Sequence, residues 1–487
     1  MSYPHNDMRE FVDDLEQEGE LTRIKDEINW DLEAGAISRI LSETTLGRSV
    51  RNGGQPAVLF ENVKGYPEGF RISTMTHGGV KRIAMMLGHK DPDSANYRDL
   101  QDLYLEKVSY RTKPNLVSSG PCKENKMVGE EVDLYRFPAP MIHEGDGGRY
   151  LCTWTVVVTK DPDSDWVNWG TYRAMINDRR TLTGIITPGQ HGLAIYRKYE
   201  ARNEPMPFAI AINPDPLTLF IGACKVPAGV AEVDVIGGLR GQPLSVVKCE
   251  TNDLVVPACS EIVLEGIMPP GIRLPEGPFG EYQGYVASPR DDRLVYMVKA
   301  ITHRNDPIVG LMNPGLPVDE CGVCMAVSVA AELKAELKRC GVPVVDVNLM
   351  PESGTTLVVV STKTPAHGLP HIIASVMEAS WGMVAFNVLV VNDDVDVFNP
   401  AEVIHAWSTR VHPERGIHVR RGRGNPVSTW GSPEEKLNLD LPCILYDATW
   451  PVTWPVWDVP RKSSFKTLYP ERTQEKIMSN WKEYGFK

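Results

Sequence analysis

Glu276 and Glu281 stand five residues apart around Gly277, Pro278 and Gly280, within Leu274-Pro-Glu-Gly-Pro-Phe-Gly-Glu-Tyr-Gln-Gly-Tyr285. On an ideal strand, residues i and i+5 face opposite ways. A Gly-Pro-x-Gly bend cancels that alternation and lets both acids converge on one cavity. Converging carboxylates repel, so one of them is pushed towards holding a proton near neutral pH and becomes a proton donor. The same segment also fits a Gly/Pro loop carrying two solvated acids.

A second concentration of polar groups lies upstream, in Trp166-Val-Asn168-Trp-Gly-Thr-Tyr-Arg173, Pro188-Gly-Gln190-His191 and Ala231-Glu232-Val-Asp234. Arg173 is a permanent cation suited to bidentate carboxylate contact. Beside Glu281 it would favour ionisation and oppose the push from Glu276. Asn168, His191 and Glu232 offer an O/N/O ligand set for a hard or borderline divalent ion, Mn²⁺ or Mg²⁺, bridging to a phosphate. Their gaps of 23 and 41 residues are no metal signature, and a histidine after a Gly-Gln turn serves structure equally well.

Other motifs carry less. Cys321-Gly-Val-Cys324 has no second Cys/His pair close in sequence to complete a zinc set, and the reading is packing. Asp393-Asp-Val-Asp396 reads as a turn at a strand end. Gly237-Gly-Leu-Arg-Gly241 lacks both the spacing and the following helix of a dinucleotide site. Neither a GxSxG nor a Walker sequence is present.

The elements that must position these groups belong to a chain of 487 residues, too long for one core. It is 42% hydrophobic and 23% charged, with a net charge of −12, which argues against nucleic-acid and anionic-membrane partners. No apolar run approaches the ~20 residues that span a bilayer, and the polar N-terminus is no signal peptide. Nine scattered cysteines suit a reduced, cytoplasmic setting.

Residues 7–20 form a helix, with Asp7 as N-cap and Gly19 as its stop, and a second helix follows from Asp31. Strands at 57–60 and 70–73 and a helix at 80–87 complete a mixed α/β region to residue 115. Pro138 and Pro140 punctuate a linker. The middle, 116–315, reads as strands at 153–159, 181–187, 208–212, 217–223, 244–249, 262–266 and 295–302, with one helix at 192–201, which suggests a barrel or closed sheet. From 316 to 487 the α/β character returns: helices at 325–339, 369–381 and 401–411 alternate with strands at 344–349, 356–361 and 388–391. Residues 471–484 form a docking helix. Arg420-Arg421-Gly-Arg423 reads as a surface loop or subunit contact.

Taken in order, several of these segments resemble the UbiD family of decarboxylases, which use prenylated FMN. The resemblance rests on Phe11–Gly19 with the following Leu-Thr-Arg-Ile, Pro140-Met-Ile-His-Glu-Gly-Asp-Gly-Gly-Arg-Tyr150, Asn168-x4-Arg173, Gln190-His191, Ala231-Glu232, Asp253-Leu-Val-Val-Pro257, Glu261-Ile-Val-Leu-Glu-Gly266, Glu276-Gly-Pro-Phe-Gly-Glu281 and Asp393-Asp-Val-Asp396. It implies that Arg173, Glu276 and Glu281 are the catalytic trio. Asn168, His191 and Glu232 would hold a divalent ion, typically Mn²⁺, on the flavin phosphate. The Trp166 and Ala223 backbone carbonyls would hold K⁺, and Gln190 would lie near cofactor and substrate.

The implied fold class is multidomain α+β: an N-terminal α/β domain, a central split β-barrel for the flavin, and a C-terminal α/β oligomerisation domain. The implied partners are an aromatic acid substrate, a flavin prenyltransferase as cofactor source, and further copies of the chain in a dimer or hexamer. One departure stands out. Where many members place a phosphate-contacting lysine, this chain has Asn387. Leu316, Asn313 and Trp450 are candidates for the substrate side. Decarboxylation of a cinnamic-type acid and a non-catalytic flavin-binding subunit are the rival readings.

Overall fold

The computed structural model describes residues 3–45, 54–287, 289–363, 366–381, 386–425 and 427–486. The helix Met8–Gln17 starts where the Asp7 carboxylate accepts the Glu10 N–H at 2.9 Å. Its Met8, Phe11, Val12 and Leu15 recur on one face and are buried. Beyond the positive φ of Gly19 comes the strand Leu21–Ile28, which the sequence reading missed because Arg23, Lys25, Asp26 and Glu27 mask its alternation. It pairs in parallel with Ala57–Val63. Arg71–Thr74 follows, and Ile308–Leu311 closes this four-stranded sheet from far along the chain.

Ten strands make the central sheet. Its spine is Asp291–His303, a 13-residue strand paired antiparallel with Thr181–Gly184, Arg273–Glu276, Ile262–Met268 and Asn125–Val128. Met206–Ile212, Thr155–Lys160 and Val167–Gly170 extend it on one side, and Ala174–Asp178 and Tyr150–Cys152 on the other. Strands such as Thr155–Lys160 are buried along nearly their whole length, so both faces of the sheet are covered. Five strands form the last sheet, in the order Val344–Leu349, Leu357–Thr362, Asn387–Asn392, Asp440–Ala448, Ile417–Arg423. The helix Glu320–Arg339, N-capped by Asp319, packs on it, and Gln101 from the first region donates to the carbonyls of Ala326 and Val347 at 2.9 and 3.1 Å.

Three expectations change. Residues 217–223 are not a strand: Pro216–Gly222 is a helix, begun by Pro216 at its first position with the Asp215 carboxylate accepting from Thr218 N–H at 3.2 Å. The middle therefore holds more than one helix, and Glu232–Arg240 is another. Arg420 and Arg421 lie in the edge strand Ile417–Arg423, not in a loop, paired with Glu378 at 2.9 Å and Glu435 at 3.3 Å. Among the described residues no helix is long and apolar enough to cross a membrane.

Candidate active site

Arg173 sits just ahead of the strand Ala174–Asp178, and Glu276 ends the strand Arg273–Glu276. Both strands belong to the same sheet, which sets the two side chains against each other. Arg173 Nε lies 3.0 Å from Glu276 Oε1 and Nη2 lies 3.2 Å from Oε2, a bidentate pair. The remaining guanidinium nitrogen, Nη1, donates to Glu281 Oε1. The bend between the acids thus brings both carboxylates onto one cation, and the solvated-loop alternative falls away: Glu276 is 1% exposed and Glu281 8%.

The bend is held from several sides. Gly147 N–H donates to the Pro278 carbonyl at 2.8 Å, and a Cβ on Gly147 would stand 2.0 Å from the Gly277 oxygen. Glu281 N–H donates to Tyr285 O at 3.0 Å. Phe279, inside the bend, packs its ring 4.8 Å from the Arg173 guanidinium carbon and 4.2 Å from the Tyr150 ring. Tyr150 donates its hydroxyl to Glu276 Oε1 at 2.6 Å. His143 bridges Asp146 at 3.1 Å and Asn313 at 2.7 Å, and leaves no room for a side chain at Gly280. Tyr150, Phe279 and His143 escaped the sequence argument, although each lies inside or beside a segment that it used.

Burial is the main reason the Glu281 carboxyl is raised above the ordinary range; the Glu276 charge adds to it and Arg173 opposes. This reorders the sequence argument, which made repulsion between the acids the cause. Burial also works against the Arg173 cation, but the charges of Glu281 and Glu276 outweigh it and hold the guanidinium firmly protonated. Burial, then the Glu276 charge, raises the Tyr150 phenol, so it stays a donor. The cluster can therefore hold a proton on Glu281 in a site largely shut off from water and deliver it to an atom placed alongside.

A second group gathers where two helices begin. His191 opens the helix His191–Ala201 and Glu232 opens Glu232–Arg240. His191 Nδ1 is 4.0 Å from Glu232 Oε1, while Glu232 Oε2 accepts the Trp169 N–H at 2.8 Å. Asn168 gives its amide N–H to Tyr172 OH at 3.2 Å, and the same hydroxyl accepts from Gly192 N–H at 3.1 Å. Burial raises the Glu232 carboxyl to about 7 and, with the Lys225 charge, lowers His191. A buried carboxylate facing a neutral imidazole, with an amide oxygen to spare, fits a divalent cation. Two helix N-termini beside it fit a phosphate. Among the described residues no trio of His, Cys, Asp or Glu converges on a metal position, so the set depends on the Asn168 amide.

The other candidates are placed as follows. Gln190 caps the His191 helix and accepts Thr187 N–H at 2.6 Å. The Trp166 ring meets His191 edge-on at 5.0 Å, and its carbonyl accepts Asp161 N–H at 2.9 Å. Ala223 caps the helix Pro216–Gly222, whose Gly222 carbonyl accepts Thr171 N–H at 2.9 Å. Asn313 is joined to His143 and so to the acidic bend. The Leu316 Cα lies 3.3 Å from a Cβ position on Gly284. Trp450 instead lies in the C-terminal layer, with the Arg410 guanidinium carbon 4.9 Å from its ring centroid. Asn387 gives its backbone N–H to the Thr356 carbonyl at 3.1 Å, inside the C-terminal sheet. Cys321 and Cys324 are free thiols raised by burial, in keeping with packing.

Comparison with known proteins identifies the family. The sequence pattern of the UbiD N-terminal domain of 3-octaprenyl-4-hydroxybenzoate carboxy-lyase matches residues 12–104, that of its Rift-related domain 115–317 and that of its C-terminal domain 323–439. Pyrrole-2-carboxylic acid decarboxylase of Pseudomonas aeruginosa is 30% identical over 99% of this chain and 98% of its own. Ferulic acid decarboxylase 1 of Saccharomyces cerevisiae is 30% identical over 99% of each. Phenolic acid decarboxylase of Sedimentibacter hydroxybenzoicus is 36% identical over 86% and 87%. The closed form of S. hydroxybenzoicus vanillic acid decarboxylase superposes with a TM-score of 0.85 at 32% identity, covering 99% of each chain. An evolved dimeric form of the UbiD-class enzyme HmfF from Pelotomaculum thermopropionicum, in complex with prFMN, gives 0.79 at 28%, covering 93% and 96%. With all three patterns matched in sequence order over most of its length, the chain belongs to the UbiD family of carboxy-lyases.

Proposed function

We propose that the protein catalyses the reversible, non-oxidative decarboxylation of an aromatic or heteroaromatic carboxylic acid with prenylated FMN, and that Glu281 is its proton donor. The observation that carries this reading is the buried pairing of Arg173 with both Glu276 and Glu281. Loss of CO₂ from an sp² carbon leaves an electron pair that no side chain can stabilise. The bound prenylated flavin supplies the electron sink.

The chain's residues do the rest. Glu276 occupies two guanidinium nitrogens of Arg173 and fixes its plane, so Arg173 orients Glu281 rather than gripping the substrate carboxylate. Glu281 holds its proton because burial disfavours the anion. As the C–CO₂ bond breaks, the Glu281 O–H proton moves to that carbon, and the resulting carboxylate is neutralised by Arg173. Reversal of the same steps takes the proton from the ring carbon for carboxylation.

Asn168, His191 and Glu232 would hold a divalent ion, Mn²⁺ or Mg²⁺, whose charge would offset that of a bound phosphate, and the Trp166 and Ala223 carbonyls would hold K⁺. Gln190 stands near cofactor and substrate. In this reading the ten-stranded sheet is the split barrel that carries the flavin. The cofactor comes from a flavin prenyltransferase, and the cytoplasmic protein assembles as a homo-oligomer through its C-terminal layer.

Co-expression with a flavin prenyltransferase, followed by headspace CO₂ and product analysis on benzoic, heteroaromatic and cinnamic acids, tests this. Turnover of ring carboxylates supports the reading. Turnover confined to cinnamic acids moves it to that class. A holo-protein that releases no CO₂ from any acid refutes it and favours a flavin-binding subunit.

A further inference from the structure

The segment between the strand Ile308–Leu311 and the helix Glu320–Arg339 touches the acidic bend on both sides of Glu281. Asn313 takes the upstream side. Its Oδ1 accepts from His143 Nε2 at 2.7 Å, and a Cβ on Gly280 would stand 2.8 Å from His143 Cε1. Leu316 takes the downstream side: its Cα and Cδ1 lie 3.3 and 3.6 Å from a Cβ position on Gly284. Gly284 N–H in turn donates to the Glu281 carbonyl at 2.8 Å. A loop that reaches residue 280 through one end and residue 284 through the other straddles the carboxyl between them. A shift of the loop is therefore a shift of Glu281.

The loop lies outside both elements, so what grips it decides its position. One helix of the N-terminal region does so. Gly35 and Arg39, four residues apart on Glu33–Thr45, share a face of that helix. The Gly35 carbonyl accepts Asn313 Nδ2 at 2.7 Å, which sets the amide so that its oxygen faces His143. Arg39 Nη1 donates to the Asn313 carbonyl at 3.0 Å, and Nη2 to the Leu316 carbonyl at 2.6 Å. One planar guanidinium thus holds the loop at both ends. Gly315 lies between them, where a Cβ would stand 2.3 Å from Arg39 Nη1. The Arg39 side chain is 15% exposed, and burial lowers its guanidinium against the charges of Asp319 and Glu43. A cation kept there against burial, and turned to two carbonyls, serves geometry more than charge balance.

We propose that Arg39 is a positioning residue for the proton donor: it fixes the loop 313–316, and the loop fixes Glu281 through His143 at Gly280 and through Leu316 at Gly284. The inference rests on the reading of Glu281 as that donor, but the grip itself is measurable without turnover.

Hydrogen exchange of the full chain, followed by mass spectrometry, reads the grip directly. In Arg39→Ala, peptides covering 280–287 and 312–319 should exchange roughly tenfold faster than in the native protein, while those of the strand Met206–Ile212 keep the native rate. Arg39→Lys, with one ammonium for two carbonyls, should fall between, and it carries the same comparison if the circular dichroism of Arg39→Ala shows a misfolded chain. Native exchange of 280–287 in the variants overturns the proposal. In the flavin-loaded enzyme, kcat of Arg39→Ala should fall on the order of 10²-fold, the effect of a displacement near 1 Å, with KM and flavin content unchanged. In single turnover on a Glu281→Gln background the same substitution should cost less than about twofold, because its effect passes through Glu281. An equal loss in both backgrounds overturns the proposal. A native protein that turns over no acid refutes the decarboxylase reading instead, and exchange alone then decides whether Arg39 positions the bend.

Discussion

Glu281→Gln separates the proton donor from its surroundings. The amide keeps the shape of the side chain and an oxygen for Arg173 Nη1, while Arg173 stays neutralised by the bidentate contact with Glu276 at 3.0 and 3.2 Å. Because Glu281 holds its proton, the amide removes no charge from the trio, and the buried Arg173–Glu276 pair stays balanced, so folding stability should stay within about 1 kcal/mol. Chemistry should suffer far more. A positioned general acid contributes roughly 10²–10⁴-fold, about 3–5 kcal/mol of barrier. The sign with pH follows from the raised Glu281 carboxyl: the group stays protonated to higher pH than an ordinary glutamic acid, so the native rate should hold on the acid side and fall as pH rises through the raised value. Single-turnover loss of an aromatic acid, read by chromatography in H₂O and D₂O across pH, measures all of this. The variant should lose both the turnover and the incorporation of solvent deuterium at the former carboxyl carbon. A variant within tenfold of native that still places deuterium at that carbon would exclude Glu281 as the donor.

Gly147→Ala adds a methyl 2.0 Å from the Gly277 oxygen and must move the acidic bend; a shift near 1 Å costs on the order of 10²-fold in kcat, and a rate within threefold of native counts against the bend's role. Glu232→Gln should lower divalent metal affinity, read from metal content by plasma mass spectrometry, by at least the roughly 10–100-fold that loss of an outer partner costs, with flavin lost on gel filtration; full metal content in the variant removes this ligand from the set. Glu320, buried with Oε1 accepting His77 N–H at 2.8 Å, is raised by burial from 4.5 to about 7. Between those values the folded state holds a proton that the unfolded state has released, so stability should fall as pH rises, by ~3 kcal/mol in all, and Glu320→Gln should flatten the Tm profile; equal slopes in both proteins contradict the assignment.

The acidic bend was legible because its Gly and Pro residues state a backbone shape, and a shape that turns two carboxylates inward is a chemical claim. Arg173 stood out as a cation suited to carboxylates, and the resemblance gave it its role; its pairing joins two non-adjacent strands of one sheet with partners 103 residues apart, which no local pattern encodes. The helix Pro216–Gly222 was read as a strand because Leu217, Leu219, Phe220 and Ile221 are apolar all round, which fits either element. Its Asp215-Pro216 start was the signal to use. The helix Glu232–Arg240 hid behind Gly237 and Gly238, poor helix residues kept small because the carbonyls of Thr112 and Tyr110 would lie 2.4 and 2.2 Å from their Cβ positions. Tyr150 was out of reach because a tyrosine in a short apolar strand gives no hint of where its hydroxyl points.

The strand Ile308–Leu311 lies in register with Arg71–Thr74, so Arg71 pairs with a residue made 237 positions later, Ile308. The first sheet is therefore unfinished when its own region leaves the ribosome, and the exposed edge of Arg71–Thr74 must wait for the half-barrel to be threaded through. Synthesis cannot complete this protein region by region; the first part made is among the last to close.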